Sequence, residues 1–326
     1  MHFPLTPTQL AQLTEGAVVA TVSAGVFRIE GPGALDCLQG LLTNDLAGRG
    51  TNSLVYGALL TPKGMIVADG WVLRLTDRHF FLCDASGRER TAEIFRRSLP
   101  PRLARVTDVS DTWSVLWMLG KESGTTLVAA DVGAVREPGG VIEIAGGGLL
   151  AGGTGPSPFE AIVLGDQAAV SGLRSRLVEA GAVDGDETMV GAAMVLAGWP
   201  ALGREIEERT LPQEVRFDDL EGVSYSKGCY TGQETVARIH FRGHVNRVLR
   251  GVVFEGESAL ADARVTAGGK EIGTVRSSTS AGGALLGLSV IRREVGEGDE
   301  VLAGKRTGRV VALPFSQLRL DNELRP

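Results

Sequence analysis

The chain has 326 residues, 43% of them hydrophobic and 22% charged, which is typical of a globular protein of two or three domains. Its formal net charge of −6 argues against a generally basic nucleic-acid-binding surface, so we expect no direct nucleic-acid binding. With no secretory leader, no apolar run of membrane-spanning length and only three distant cysteines (Cys37, Cys83 and Cys229), we expect a cytoplasmic protein without a membrane segment, disulfide framework or metal site.

The first two hundred residues show mixed strand and helix patterns. Strands are predicted at 17–22, 25–30, 53–60, 65–75, 79–84, 112–119 and 161–164, and helices at 31–41, 87–99, 166–180 and 187–196. These elements do not alternate as repeated strand–helix pairs. The order therefore favours an α+β fold with antiparallel sheets over a doubly wound one.

The pattern changes after residue 245. Four β segments at 247–255, 264–275, 284–292 and 300–313 are separated by glycine-rich turns, with almost no helical signal. Such spacing is typical of a small β-barrel or sandwich. We therefore predict two regions, 1–245 as an α+β region of two interleaved subdomains and 246–326 as a separate β domain.

The densest group of reactive side chains lies at 226–234, Ser-Lys-Gly-Cys-Tyr-Thr-Gly-Gln-Glu. Gly228 and Gly232 would permit backbone angles or close approaches that other residues forbid. Cys229 has two interpretations: a thiol activated by the neighbouring lysine, or a small buried thiol, which is the commoner case for a single cysteine.

Charged residues alternate just downstream, at Arg238, His240, Arg242 and His244. On a strand they would share one face and could bind an anionic partner such as a carboxylate tail or phosphates. The alternative is a solvated face paired with an acidic run formed by Glu205, Glu207, Glu208, Glu214, Asp218 and Asp219.

Asp69 stands inside an apolar predicted strand. A carboxylate there needs a partner or a ligand if it is buried, although it would need neither on a wet face. Asn44 and Asp45, which follow the first predicted helix, are interpreted as a cap or turn pair.

Segment 227–238 resembles the K-G-C-[FY]-x-G-Q-E-x-x-A-R signature of YgfZ-type folate-binding proteins. Three further segments match in order and approximate spacing: 38–45 (Leu-Gln-Gly…Thr-Asn-Asp), 61–64 (Thr-Pro-Lys-Gly) and 211–214 (Leu-Pro-Gln-Glu). The resemblance covers essentially the whole chain and extends to the glycine-cleavage T-protein, an aminomethyltransferase.

This resemblance implies a three-lobed ring, made of two antiparallel α+β domains and a C-terminal β-barrel, with tetrahydrofolate or a derivative in the central opening. It implies a folate contact from Asp69. If folate binds, we further expect Tyr230 in the pocket, a glutamate tail held by Arg238 and Arg242, and a chemical role for the Cys229 thiol or the Asp69 carboxylate. Lys227, Gln233 and Glu234 complete the expected cofactor-binding set.

The resemblance also implies a role as an accessory protein in the assembly, maintenance or repair of iron–sulfur enzymes, including tRNA-modifying ones. The expected partners are folate and iron–sulfur client or assembly proteins. Two alternatives are a folate-dependent aminomethyltransferase and a non-catalytic RNA- or protein-binding module. Leu196 weakens the first alternative, because it stands where the T-protein carries a pterin-binding glutamate. Whether any reaction is catalysed is left open.

Overall fold

The computed structural model describes residues 1–260 and 262–315, which form three β-sheets and seven α-helices. The strands are β1 His2–Pro4, β2 Val18–Val22, β3 Ala24–Glu30, β4 Ser53–Leu60, β5 Ile66–Arg74, β6 Arg78–Asp84, β7 Arg105–Asp108, β8 Trp113–Leu119, β9 Val141–Glu143, β10 Leu149–Gly152, β11 Ala161–Asp166, β12 Val183–Gly185, β13 Arg247–Glu255, β14 Arg264–Ala267, β15 Lys270–Ala281, β16 Ala284–Arg292, β17 Glu300–Ala303 and β18 Arg306–Val311. The helices are α1 Pro7–Thr14, α2 Ala34–Gln39, α3 Arg88–Ser98, α4 Ser123–Ala129, α5 Gln167–Glu179, α6 Glu187–Leu196 and α7 Gln233–Arg242.

The first sheet has five antiparallel strands in the order β4-β5-β6-β3-β7. One face packs on α2 and α3 through a core that includes Phe27, Phe81 and Phe95. Its β4–β5 pairing places Ala58 directly opposite Asp69. This pairing fixes the position of that carboxylate relative to the rest of the sheet.

The second sheet has six strands in the order β12-β2-β8-β11-β10-β9. The β12–β2 pair is parallel and the other pairs are antiparallel. Helix α5 covers one face with Val170, Leu173 and Leu177. Asp166 caps this helix by accepting a hydrogen bond from the Ala168 amide.

The remaining faces of the two sheets meet in one shared core. Helix α6 lies in this core and buries seven of its ten residues. A cluster of large aromatic rings occupies its centre, formed by Tyr56, Trp71, Trp199, Phe217 and Phe159.

The third sheet is a closed antiparallel barrel of six strands, in the order β15-β14-β17-β18-β13-β16, with β16 pairing back onto β15. Strand β1 joins it in parallel to β15, so that Phe3 lies opposite Thr279. Residues 2–4 thus contribute to the barrel sheet. The division into 1–245 and 246–326 stays a prediction.

The α+β class and the C-terminal barrel are confirmed. Two predicted barrel strands are wrong, because each is a hairpin of two strands. Segment 264–275 turns at Gly268 and Gly269, both with positive φ, and 300–313 turns at Gly304. Five short elements, β1, α1, β7, α4 and β12, were not predicted from the sequence. Among the described residues, no helix has the length and apolar character that crossing a membrane requires.

Candidate functional site

Lys227 is almost completely buried, with 8% of its surface exposed. Its ammonium donates three hydrogen bonds of 2.7 Å to the backbone carbonyls of Gln39, Leu42 and Asn44. Burial lowers the pKa of Lys227 to about 8, and the charge of Asp45 opposes this shift. Because an ammonium has three N–H groups, all of its donors are used by backbone carbonyls at the end of α2 and in the loop that follows it. The structure thus gives Lys227 a positioning role and shows no free donor for the cofactor contact expected of it.

Four further hydrogen bonds join this part of the chain to the loop after α2. Thr43 Oγ1 donates to the Gly222 carbonyl at 2.6 Å, and Asn44 Nδ2 donates to the Glu221 carbonyl at 2.6 Å. Two backbone bonds run from the Ser224 amide to the Thr43 carbonyl and from the Thr231 amide to the Gly40 carbonyl. Two segments nearly two hundred residues apart in sequence are therefore held together on both sides of Cys229.

A close glycine contact attaches the 61–64 turn to the start of α7. Gly232 has φ +83°, and a Cβ there would lie 2.6 Å from the Thr61 carbonyl oxygen and 3.0 Å from Gly64 Cα. Gly64 has φ +84° and faces Thr235. Gly228 has neither restriction, because its φ is not positive and a Cβ would meet no atom within 4 Å. The expectation for the two glycines holds for Gly232 alone.

The side chains of Tyr230 and Cys229 lie in different environments. Tyr230 is buried, its ring centroid lies 5.2 Å from Lys227 Nζ, and its hydroxyl has no hydrogen-bond partner among the described residues. Burial and, second, the charge of Asp218 raise the pKa of Tyr230 to about 12. Cys229 is an exposed free thiol. This excludes the interpretation of Cys229 as a buried structural thiol.

Asp69 is half-buried at the edge of the aromatic cluster and accepts a hydrogen bond of 2.8 Å from the Tyr56 hydroxyl. Burial raises the pKa of Asp69 to about 6, the Tyr56 bond opposes the shift, and the charge of Asp84 adds to it. The ring of Tyr56 packs against Trp199 at 4.5 Å and Phe217 at 5.1 Å between centroids. A desolvated carboxylate beside flat apolar surfaces suits a planar heterocycle that carries N–H donors.

Tyr56 links Asp69 to the residues around Lys227. Asn44 Nδ2 donates to the Tyr56 carbonyl at 2.7 Å, and the carbonyl of Asn44 itself accepts from Lys227. In the described part of the chain, no direct hydrogen bond joins Asp69 to segment 227–242. Asn44 was interpreted only as a cap or turn residue. It does accept from the Asp45 amide through Oδ1, but its longer-range bonds were missed.

The predicted strand at 238–244 is wrong, because residues 238–242 belong to α7. The helix starts after Gly232, carries Glu234 in its first turn and carries Arg242 in its last turn, and these two charges complement the helix dipole. Arg238 and Arg242 still share a face because they are four residues apart, whereas His240 lies about 200° around the axis from Arg238.

The alternative prediction, in which the basic residues of segment 238–244 pair with the acidic run, is largely wrong. Among these acidic residues, only Asp218 lies within 4 Å of a basic group of the segment, at 3.7 Å from His240 Nδ1. Glu205 accepts from Ser277, Glu207 pairs with Arg276, and Asp219 pairs with Arg216. Arg238 and Arg242 are exposed and form no ion pair with the described residues.

The structure therefore divides the predicted site residues into three groups. Lys227 and Tyr230 lie together, with the exposed Cys229 between them in sequence. Asp69 is bound to Tyr56, and Glu234, Arg238 and Arg242 lie on the exposed surface of α7. Gln233 is half-buried at the start of α7, where its backbone N–H donates to the Tyr230 carbonyl. The residues that connect these groups, Tyr56, Thr43 and Asn44, were not predicted. Thr43 and Asn44 lie in a segment that the resemblance had matched.

Leu196 ends α6 and is buried in the shared core, with 8% of its surface exposed. Leucine has no polar side-chain atom, so this position supplies apolar packing to the shared core.

Comparisons with known proteins show what the chain is similar to. Residues 10–136 match the GCVT N-terminal domain. An aminomethyltransferase from Rubrobacter xylanophilus is 29% identical over 95% of this chain and 87% of its own length. The tRNA-modifying protein YgfZ of Colwellia psychrerythraea is 24% identical over 74% of this chain and 72% of its own length.

The fold has a close structural counterpart. The glycine cleavage system aminomethyltransferase T from Bartonella henselae superposes with a TM-score of 0.81, covering 95% of this chain and 89% of that one, at 19% identity. At this identity the likeness concerns the fold. The superposition agrees with a fold in which two sheets, each with packed helices, share one core and a β-barrel follows at the C-terminal end.

Proposed function

We propose that this chain, a YgfZ-type member of the GcvT superfamily, binds tetrahydrofolate or a derivative, with Asp69 as the carboxylate that meets the pterin. The observation that carries the proposal is the Asp69–Tyr56 pair beside the aromatic cluster. A carboxylate can accept hydrogen bonds from pterin N–H groups, and burial strengthens such bonds. Folate, when bound, would supply one-carbon chemistry.

The test is a calorimetric titration of tetrahydrofolate and its methyl and formyl derivatives into the purified protein. Replacing Asp69 by Asn keeps the shape but removes the charge, so we expect affinity to fall about tenfold, as for loss of a charge-assisted hydrogen bond. Asp36→Asn, at an exposed aspartate on α2, is the matched control and should bind like the wild type. If no reduced folate binds, the proposal fails. If Asp69→Asn binds as well as the wild type, the role of Asp69 fails.

We further propose that the protein acts in the cytoplasm as an accessory factor for iron–sulfur enzymes, among them enzymes that modify tRNA, and that the Cys229 thiol is needed for this role. The support is the exposed thiol within the 227–238 signature and the relative named as a tRNA-modifying protein. The Cys229→Ala variant should fail to restore thiolated tRNA nucleosides in a strain that lacks its own homologue. Cys37→Ala, which changes a thiol outside the signature, should restore them. Full rescue by Cys229→Ala would show that the thiol is not required for this role.

A second candidate function is aminomethyl transfer, favoured by the Rubrobacter relative that matches 95% of this chain. The buried Leu196 argues against it, because the pterin loses a carboxylate partner there. We expect no methylene-tetrahydrofolate when the protein is supplied with tetrahydrofolate and an aminomethyl-lipoyl carrier protein. Turnover in that assay would make this candidate the correct one.

A further inference from the structure

The end of α7 and the loop that follows it, residues 238–247, form a basic surface. Between Glu234 and Glu255 the chain has four arginines, two histidines and no acidic residue, although the net charge of the whole protein is −6. The side chains of Arg238, Arg242 and Arg247 are exposed and form no hydrogen bond or ion pair with the described residues. The net charge, from which no nucleic-acid binding was expected, therefore does not describe this surface.

An exposed aromatic ring lies within the 238–247 surface. Phe241 is 66% exposed, more than any other large hydrophobic side chain among the described residues. Its ring packs at nearly right angles against His240, at 4.8 Å between centroids, and against Tyr225, at 5.9 Å. Tyr225 and His240 stack on each other at 3.6 Å. A single exposed apolar side chain is common on proteins, so the meaning of Phe241 depends on the charges beside it.

The helix places Phe241 directly beside the arginines. At 100° per residue, Phe241 lies about 60° around the axis from Arg238 on one side, and Arg242 lies about 40° from it on the other. His240 follows beyond Phe241. The nearest acidic residues limit this surface, since Glu234 stands one turn before Arg238 and Asp218 lies 3.7 Å from His240 Nδ1. Guanidinium groups and an aromatic ring thus share one side of the helix end.

A partner for this surface has to supply negative charge and flat apolar groups together. Arginine pairs with phosphate through two parallel hydrogen bonds, and aromatic rings stack on bases. Proteins that bind single-stranded nucleic acid combine these two contacts. An acidic polypeptide would supply carboxylates but no regular series of planar groups. Unstacked bases that can be splayed onto an aromatic ring are typical of the single-stranded loops and ends of RNA.

We infer that the 238–247 surface binds a single-stranded segment of RNA. Arg238 and Arg242 pair with phosphates, Arg247 extends the basic track, and a base stacks on Phe241. The inference depends neither on folate binding at Asp69 nor on the Cys229 thiol. Arg238 and Arg242 are also the residues expected to hold a folate tail, but Phe241 has no part in that expectation and so separates the two roles.

The test is the fluorescence anisotropy of a labelled single-stranded RNA dodecamer titrated with the full chain, between about 50 and 200 mM KCl. We expect a Kd of about 1 to 100 µM at physiological ionic strength. Each phosphate contact adds about 0.7 to the slope of log K against log salt, so Arg238→Gln combined with Arg242→Gln should lower that slope by about 1.4. Arg90→Gln combined with Arg96→Gln, at two exposed arginines of α3, is the matched control and should leave the slope unchanged.

A variant of Phe241 tests the stacking separately from the charge. Phe241→Leu keeps an apolar side chain but cannot stack, so we expect binding to weaken about tenfold with the wild-type salt slope. Phe241→Tyr keeps the ring and should bind like the wild type. Because these side chains are exposed, the variants should fold, and circular dichroism checks this.

Several outcomes would overturn the inference. They are an absence of saturable RNA binding, a wild-type slope in the Arg238 and Arg242 double variant, and wild-type affinity in Phe241→Leu. Competition by poly-L-glutamate as effective as that by unlabelled RNA would also overturn it, because the partner would then be an acidic polypeptide. Tighter binding of the deoxyribose dodecamer of the same sequence would exclude RNA as the preferred partner.

Discussion

The Tyr56 hydroxyl donates a hydrogen bond to Asp69, while the backbone carbonyl of the same tyrosine accepts from Asn44. Asn44 in turn lies against Lys227. One tyrosine of β4 therefore connects the desolvated carboxylate with the segment that carries Cys229. Changes at either end can be tested separately, because the connection runs through identified atoms.

Asp69 should make the stability of the protein depend on pH. Its folded pKa is about 6, against an ordinary value of 3.8, so between these pH values the folded chain holds a proton that the unfolded chain has released. The free energy of unfolding therefore falls as pH rises through this window and levels off above it. Asp69→Asn removes the titration, and its stability relative to wild type should rise by roughly 2 kcal/mol from pH 4 to pH 7. Urea denaturation at each pH measures this, and a constant difference would contradict it.

Lys227 should matter for stability more than any exposed lysine. Lys227→Met leaves three carbonyls, two of them deeply buried, without their donor, and we expect the free energy of unfolding to fall by about 3 kcal/mol. Lys63→Met is the matched control, since Lys63 also precedes a glycine but is exposed, and it should change stability by less than about 0.5 kcal/mol. Equal effects in urea denaturation would mean that the three bonds contribute little.

The two glycines of the signature should respond differently to alanine. Gly232→Ala requires a positive φ and places a methyl group 2.6 Å from a carbonyl oxygen, so we expect a loss of about 2–3 kcal/mol in thermal or urea unfolding. Gly228→Ala meets no atom and should be nearly neutral. A destabilised Gly228→Ala beside a tolerated Gly232→Ala would show that the turn at 61–64 does not pack as described.

The three thiols should react in a fixed order with N-ethylmaleimide. Cys229 is exposed, whereas burial raises the pKa of Cys37 and raises that of Cys83 to about 12. Because the thiolate is the reactive form, Cys229 should be modified at least about tenfold faster than the others in the folded protein. Peptide mass spectrometry over time measures the order, and all three should react alike in urea. Earlier labelling of Cys83 would contradict the structure.

Some of this site could be predicted from the sequence, because the 226–234 segment concentrates an ammonium, a thiol and two glycines. The partners of Lys227 could not, since the carbonyls that it binds lie 183 to 188 residues away and carbonyls leave no trace in a sequence. Segment 238–244 was misassigned because strand alternation and helical i,i+4 spacing both place Arg238 and Arg242 on one face. Over so few residues the two periods cannot be separated.

The fold, like the site, could be predicted from the sequence only in part. Long strands such as β4 and β13 were predicted well from their apolar patterns, whereas three-residue strands such as β1 and β12 depend on neighbours already in place. The closed barrel was expected, but the participation of β1 was not. Residues 2–4 contain too little pattern to indicate a partner so distant in sequence.

That pairing has a consequence for how the protein is made. Phe3 leaves the ribosome long before Thr279, the residue it will face, so β1 must wait unpaired until nearly all of the chain has been synthesised. The first few residues are therefore among the last to reach their final position. Pairing of β1 with β15 is thus a late event of biosynthesis, which follows the synthesis of both other sheets.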